Sequence, residues 1–460
     1  MSSVVKTVCI IGAGIGGLSI AALLVQRGVG VTVFEKTSKL GGRTASMIYR
    51  NHILDNGFHI MPFYKKSAIY EVLRKVGIED RLTLAKVRDI AFYDGHTFHK
   101  YPKGINDILR LSLIPLRSRI NLLKILIPLA FSGLEKTEKW DEISLKQITE
   151  KLDLQTKSFF DAVCMLAFAD IPEHISLGEF ARTIIRANPF RGGTSEFGYP
   201  ESGGYDIIVK IIAEYIEKTR TDSKVVLNSC IKRILVENGK IRGLLKRDGE
   251  FIECDCVIVS YPAYQAISQL FKPGIFDTRF LNKINRLNKT TSVVEGHFAL
   301  SKRIDERQVV FPVGNQFTAK GIFFVSNITQ SVSPIGEHLI LAGTPVSSQD
   351  ASTPQSIRMI SDRMKEDLQK IYPNFRRVLL WERPMVWKLV ESVVKEPGLV
   401  WKQKMSHEVD QVEGLFFVGD STVSYGIGTD SAAHSASLCY PKILSYLASK
   451  SSNLLRLGVS

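Results

Sequence analysis

Gly12-Ala13-Gly14-Ile15-Gly16-Gly17 carries glycines at the spacing G-x-G-x-x-G, and Glu35 follows 18 residues after Gly17. The chemistry of such a turn is diphosphate binding. The first glycine permits a tight turn, the second lets the backbone approach a pyrophosphate, and the third lets a helix pack on the preceding strand. The helix N-terminus at Ile15 and Gly16 adds positive potential. A carboxylate at Glu35 can accept protons from both hydroxyls of a ribose, and Lys36 stands beside it. Together these residues bind a dinucleotide without separating NAD from FAD.

Two further segments extend that chemistry. Lys39-Leu40-Gly41-Gly42-Arg43-Thr44 offers close backbone approach and a guanidinium, which suits a second phosphate contact. Far along the chain, Gly414-Leu415-Phe416-Phe417-Val418-Gly419-Asp420 precedes Tyr425-Gly426-Ile427-Gly428-Thr429-Asp430-Ser431-Ala432. It reads as a buried strand, an acidic residue, then a glycine-rich turn into a helix of small residues. Such a unit can hold a polyol and the edge of an isoalloxazine at its N-terminus.

These residues need strands and helices to place them. Thr7 to Ile11 and Val31 to Phe34 read as short buried strands around a helix from Ile15 to Arg27. The span from Tyr70 to Asn188 reads as mostly helical. A helix over Asp206 to Thr219 leads to strands at Lys224 to Leu227, Ile231 to Val236, Ile241 to Leu245 and Phe251 to Ser260. Asn238-Gly239 and Asp248-Gly249 supply hairpin turns between them. Thr291 to Ala299, Gly321 to Asn327 and His338 to Ala342 read as strands of another sheet, Arg358 to Ile371 as a helix, and Leu415 to Val418 as a strand.

The chain has 460 residues, 45% apolar and 23% charged, a globular composition long enough for two or three structural units. Its net charge of +14 raises nucleic acid or an anionic membrane as partner. No recognition helix, zinc-finger spacing or aromatic-basic RNA motif accompanies that charge, so nucleic acid is not expected. The six cysteines are scattered, and Cys254 and Cys256 read as strand neighbours on one face. No metal is expected. No apolar run reaches the roughly 20 residues of a membrane span, and the N-terminal apolar run is broken by glycines. The expected location is cytoplasmic or peripheral to a membrane.

Gly12 to Glu35, Leu40 to Arg43 and Gly414 to Ala432 resemble the three flavin signatures of the monoamine oxidase, protoporphyrinogen oxidase and phytoene desaturase group. The resemblance extends to Pro200-Glu201-Ser202-Gly203-Gly204 and to Val225 to Ile234. It implies an FAD-dependent oxidoreductase of α/β class: a discontinuous Rossmann-type FAD-binding domain with a mixed α+β substrate domain. It further implies Glu35 on the adenosine ribose, Arg43 at the pyrophosphate and Ile231 at the adenine through its main chain. Asp420, beside Gly419, would contact the phosphate-ribityl portion. Gly428, Thr429 and Ala432 would approach the flavin ring. The FAD domain would comprise 1–65, 192–264 and 397–450, and the substrate domain 66–191 and 265–396.

Within that group, amine oxidases have an aromatic cage beside the flavin and a lysine that reaches its N5 through water. Here Thr429 stands at the cage position and Glu295 near the lysine position. Leu54-Asp55-Asn56-Gly57-Phe58-His59 is more like the segment of desaturases. His59 is either a proton-transfer residue or a histidine satisfied by hydrogen bonds. The segment 100–131 carries Lys100, Lys103, Arg110, Arg117, Arg119 and Lys124 among apolar residues, with Asp107 alone opposing them. It reads as a membrane-contacting element or as a basic helical lid. Phe92, Phe98, Phe311, Phe323 and Phe324 are expected to line a substrate tunnel.

The expected activity is hydride exchange between FAD and an isoprenoid or carotenoid-like skeleton, as desaturase, saturase or isomerase. The alternatives are an oxygen-dependent oxidase of a porphyrinogen or amine, and a flavin-binding lipid carrier without turnover. The expected partners are an apolar small molecule, an anionic membrane surface and an electron acceptor that no motif identifies.

Overall fold

Strands that are apolar on both faces must be covered on both faces, and the short inner strands of one sheet meet that requirement. Lys224–Val226, Val31–Phe34, Val8–Ile11, Cys256–Val259 and Leu415–Phe417 lie side by side in that order as one parallel sheet. The computed structural model describes residues 7–187 and 196–456. The helix Ile15–Gln26 is buried from Ile15 through Val25, as a helix apolar on all sides must be. It packs between Ile207–Thr219 and Gly428–Arg456. Sequence positions some 400 residues apart thus meet at the C-terminal edge of one sheet (Ile11 and Phe417, for example), the edge where ligands bind in open α/β sheets.

A second sheet has seven strands, in the order Leu379–Trp387, Ser292–Leu300, His338–Val346, Gly321–Phe324, Val309–Pro312, Ile90–Tyr93 and Phe98–Lys100. Its pairs are antiparallel except Val309–Pro312 with Ile90–Tyr93. The strand Ser292–Leu300 is buried at all nine positions, so both faces are covered. Because side chains alternate, Val294, Phe298 and Leu300 pack in one core with Met364 and Leu368 of the helix Pro354–Ile371. Val293, Glu295, His297 and Ala299 turn to the other side. There the helices Ile105–Arg110, Leu116–Phe131, Leu154–Phe168 and Leu177–Ala187 form a cap.

Several sequence expectations change. The stretch read as helical from Tyr70 contains Leu84–Val87, Ile90–Tyr93 and Phe98–Lys100, strands of three or four residues, too short to show a period. The single strand expected over Phe251 to Ser260 is two. Phe251–Glu253 pairs antiparallel with Lys240–Lys246, and Cys256–Val259 enters the parallel sheet after the chain crosses between sheets. The strand from Gly321 stops at Phe324, where Val325–Ile328 turns helical. Leu379–Trp387 and the hairpin Ser46–Tyr49/His52–Asp55 were not anticipated. Asn188 and the 191/192 boundary lie outside the described residues.

The glycine turn shows why its residue types are fixed. Gly12 has φ of +102°, and a Cβ there would stand 2.6 Å from the Ser260 carbonyl oxygen. A Cβ at Gly17 would stand 2.0 Å from the Gly12 oxygen, a backbone atom that cannot swing aside. Gly17→Ala is therefore expected to lose about 1–3 kcal/mol by overpacking. Denaturant unfolding checks this; an unchanged midpoint would show that helix and turn are not packed as described.

Candidate functional site

Three glycine segments converge beyond the parallel strands. Gly12 N–H donates to the Phe34 carbonyl at 2.8 Å, and Gly41 N–H donates to the Ala13 carbonyl at 2.9 Å. Gly14 and Gly41 form a parallel bridge. A Cβ on Gly16, in the first turn of the helix that begins at Ile15, would lie 3.3 Å from the Gly419 Cα. Other positions around the turns are open. A Cβ at Gly14 meets only the Gly41 oxygen at 3.9 Å, and at Gly42 and Gly419, both of positive φ, it meets nothing within 4 Å. Bare backbone with open space in front is what a pyrophosphate needs.

Glu35 is buried at the end of its strand. Its Oε2 accepts from Ala13 N–H at 3.0 Å, and its Oε1 from Thr37 N–H at 3.0 Å and the Thr37 hydroxyl at 2.9 Å. A carboxylate has about four lone-pair sites, so capacity remains for a ribose hydroxyl. Ser229 N–H donates to the Glu35 carbonyl at 2.7 Å, while the buried Ser229 hydroxyl has no partner. An orphaned hydroxyl at this end is the polar group a bound nucleoside would satisfy. Ile231, buried, opens its strand two residues on. Lys36 holds its ammonium 5.3 Å from the Tyr261 ring centre. The residues present fit a dinucleotide.

Arg43 and Asp420, each expected at the cofactor, are paired with one another. The guanidinium forks onto the Asp420 carboxylate at 2.7 and 2.6 Å and donates to the Val390 carbonyl at 3.0 Å. Asp420 also accepts from Ser392 N–H at 2.8 Å and the Ser392 hydroxyl at 2.7 Å. Burial alone would raise this carboxyl, but Arg43 and Ser392 outweigh it and hold the group well below the usual carboxylate range. Four accepted bonds fill its lone pairs. The Asp420 side chain is thereby committed to Arg43 and Ser392, which leaves the backbone of Gly419 and Asp420 for the phosphate-ribityl contact expected here. Arg43 likewise clamps two loops before it can meet a phosphate.

The last segment ends in Gly428, Thr429 and Ala432, the first turns of Gly428–Arg456. Ala432 is buried against the core; the Thr429 hydroxyl lies 3.4 Å from the Tyr205 hydroxyl. Behind the turn, Asp430 accepts from Ala68 N–H at 2.6 Å and pairs with Arg186. Glu179, held by the buried Arg182, accepts from Gly426 N–H at 2.9 Å. Charged groups that were invisible as a set in the sequence thus anchor the turn from below.

A cavity of about 280 Å³ opens in front of it. Arg43, His59, Glu295, Trp387 and Thr429 line it at the glycine end. Ile108, Leu126, Phe159, Phe168 and Phe180 line it at the end formed by the helical cap. Of the five phenylalanines expected in a tunnel, only Phe323 lines it. Phe92 and Phe311 are core residues, and Phe98 and Phe324 pack with Tyr372 on the other side of the sheet. His59 Nε2 lies 3.1 Å from both the Arg43 and Asn56 carbonyl oxygens, so Nε2 carries a proton and ties the two loops together. Burial pushes its pKa down, which keeps the ring neutral. These bonds fit the hydrogen-bonded alternative for this histidine at Nε2. Glu295 and Trp387 were missed as site residues. A lone glutamate in an apolar strand was the available signal for the first; nothing marked the second.

The flavin containing amine oxidoreductase family model matches residues 15–439. The chain belongs to that family. Its cofactor is FAD. The chain is 24% identical to a 4,4'-diapophytoene desaturase (4,4'-diapolycopene-forming) of Methylomonas sp, over 75% of this chain and 74% of that one. It is 23% identical to a phytoene desaturase of Phycomyces blakesleeanus, over 91% and 82% of the two chains. The solved structure of an oxidoreductase from Methanosarcina mazei shares the fold, with TM-score 0.78 and 20% identity over 95% of this chain and 100% of that one.

In this member of the family, Glu35→Ala removes a charged acceptor, worth about 1.5–3 kcal/mol, or about 10- to 150-fold in FAD affinity. Fluorescence titration of apoprotein with FAD checks this. Unchanged affinity in a folded variant would place the ribose elsewhere.

Proposed function

We propose that this flavoprotein exchanges hydride between FAD and an apolar isoprenoid or carotenoid-like substrate. The observation that carries the reading is the cavity, which runs from the Gly428-Thr429 turn to apolar side chains of the helical cap. When bound, FAD supplies a two-electron hydride acceptor or donor. The chain's own residues do the rest. Gly14, Gly42 and Gly419 leave room for the cofactor, Glu35 takes the ribose, and the Arg43–Asp420 pair fixes the loops that border the cavity. The cap excludes water and aligns an apolar chain, so that positioning does much of the work. Thr429 in place of an aromatic cage residue, and Glu295 near the position of the amine-oxidase lysine, argue against an amine. The desaturase relatives support the same substrate class.

The same cap presents a surface suited to lipid. Leu116, Ile120, Ile127 and Phe131 are exposed at spacings of four, seven and four along Leu116–Phe131, which places them on one stripe. Leu122, Leu126 and Leu129 face inward on the same helix. Arg117 and Lys124 are exposed beside the stripe on the same helix, and Lys100 and Arg110 are exposed in the segment just before it. Arg119 is a brace, donating to the Ile114 and Leu109 carbonyls at 2.9 and 2.8 Å. Among the described residues no helix is long and apolar enough to cross a membrane. The proposed partner is an anionic membrane surface that this element enters at the level of the headgroups.

The FAD-loaded protein is expected to change the conjugation of phytoene or 4,4'-diapophytoene, or of their desaturated products, presented in liposomes. The polyene absorbance bands read the result. No change in either direction, with hydrogen peroxide released on amines, would overturn the substrate class. Ile120→Glu with Ile127→Glu should weaken binding to phosphatidylglycerol vesicles by at least about tenfold, since each buried aliphatic contributes about 1.5–3 kcal/mol. Equal sedimentation of variant and parent with vesicles would remove the membrane surface from the account.

A further inference from the structure

We propose that Glu295 is the proton-transfer residue of this cavity, taking or giving the proton that accompanies hydride exchange; this rests on the hydride-exchange reading above. Glu295 lies mid-strand in Ser292–Leu300 and is buried, yet its carboxyl lines the cavity together with Arg43 and Thr429. Trp387 Nε1–H donates to its Oε2 at 2.7 Å and Phe58 N–H to its Oε1 at 3.2 Å. Both bonds are donated to the carboxyl, so both survive its protonation. A protonated carboxyl keeps acceptor capacity and gains one O–H donor, which is then free to face the cavity.

The surroundings leave this group poised between its two states. Burial raises its pKa most, the Trp387 and Phe58 donors lower it, and Asp55 raises it again, for a value pushed up to about 7. The other groups facing it offset little. Arg43 is paired with Asp420. His59 is neutral through burial, and His297, two residues along the same face, is pushed down to about 3 by burial and Arg383. Glu391 lines the same cavity beside Lys395 at 3.2 Å. Cross-strand neighbours Gly343 and Met385 carry no charge, and the helix Pro354–Ile371 lies against the opposite face of the sheet.

The balance of the step is simple. In desaturation one C–H bond leaves with its electrons as hydride, reducing the isoalloxazine by two electrons. The neighbouring C–H bond gives its electrons to the new C=C and its proton to a Glu295 oxygen, forming O–H. Saturation runs the same transfers backwards, from the neutral carboxyl. The carboxylate form acts in the first direction, so that rate rises with pH through about 7, and the reverse rate falls.

The test reads the carboxyl without turnover. In apoprotein, tryptophan fluorescence is expected to show a transition near pH 7 that is lost in Glu295→Gln and in Trp387→Phe. In FAD-loaded protein, reduction adds negative charge to the site and makes Glu295 take up a proton. The reduction potential should then fall more steeply with pH, by up to one proton per two electrons, in the parent than in Glu295→Gln. Trp387→Phe removes a donor to the carboxylate and should move that steeper region to higher pH. A fluorescence transition that persists in Glu295→Gln, or equal potential slopes in parent and variant, would overturn the proposal; a role confined to holding the sheet would leave the slopes equal. Failure on every polyene, with the slopes still different, would sink the hydride-exchange reading of the substrate and not the titration of Glu295.

Discussion

The pairing of Arg43 with Asp420 joins residues 377 positions apart and brings the loop after the second strand against the loop after the last one. Both lie beside the first glycine turn, so this forked pair closes the cradle. The guanidinium fork suits a carboxylate better than an ammonium would. Burying the Asp420 end of this half-exposed pair costs desolvation, which the bonds to Ser392 and Val390 help to offset. Its contribution is geometric. It decides where the Gly419 backbone stands relative to Gly16, and thus where a cofactor can lie.

From that constraint the division of labour follows. The parallel sheet supplies backbone, helix N-termini and the buried Glu35 carboxylate, the groups suited to binding a dinucleotide. The second sheet supplies the cavity wall, with a carboxyl on one strand and the indole that bonds it on the next. The helical cap supplies apolar side chains inward and an apolar stripe outward, with Arg117 and Lys124 exposed beside it.

How much of this could be read from the sequence depended on whether the signal was local. Gly12 through Glu35 was legible because one turn, one helix and one carboxylate are specified within about 30 residues. Gly41-Gly42-Arg43 and Gly419-Asp420 were legible as motifs, but their mutual bond was not, since no local pattern records a partner 377 residues away. Asp420 was accordingly read only for its place beside a cofactor, and the commitment of its carboxylate to Arg43 and Ser392 went unseen. The strands near Leu84 to Lys100 were hidden by their shortness. Four of the five tunnel phenylalanines were misassigned, Phe323 excepted, because aromatic residues on strands look alike whether they face core or cavity. Glu295 stood out only as a departure from a pattern; its burial and its indole partner come from strand pairing with Leu379–Trp387.

The central claim is that the three glycine segments hold FAD with its reactive ring on the apolar cavity that contains Glu295. A crystal structure of the protein loaded with FAD tests it most directly. The account predicts the pyrophosphate over Gly14 and the ring at the Gly428-Thr429 turn, with one face open to the cavity lined by Glu295 and Phe323. A ring bound elsewhere, or one separated from that cavity by protein, would contradict it.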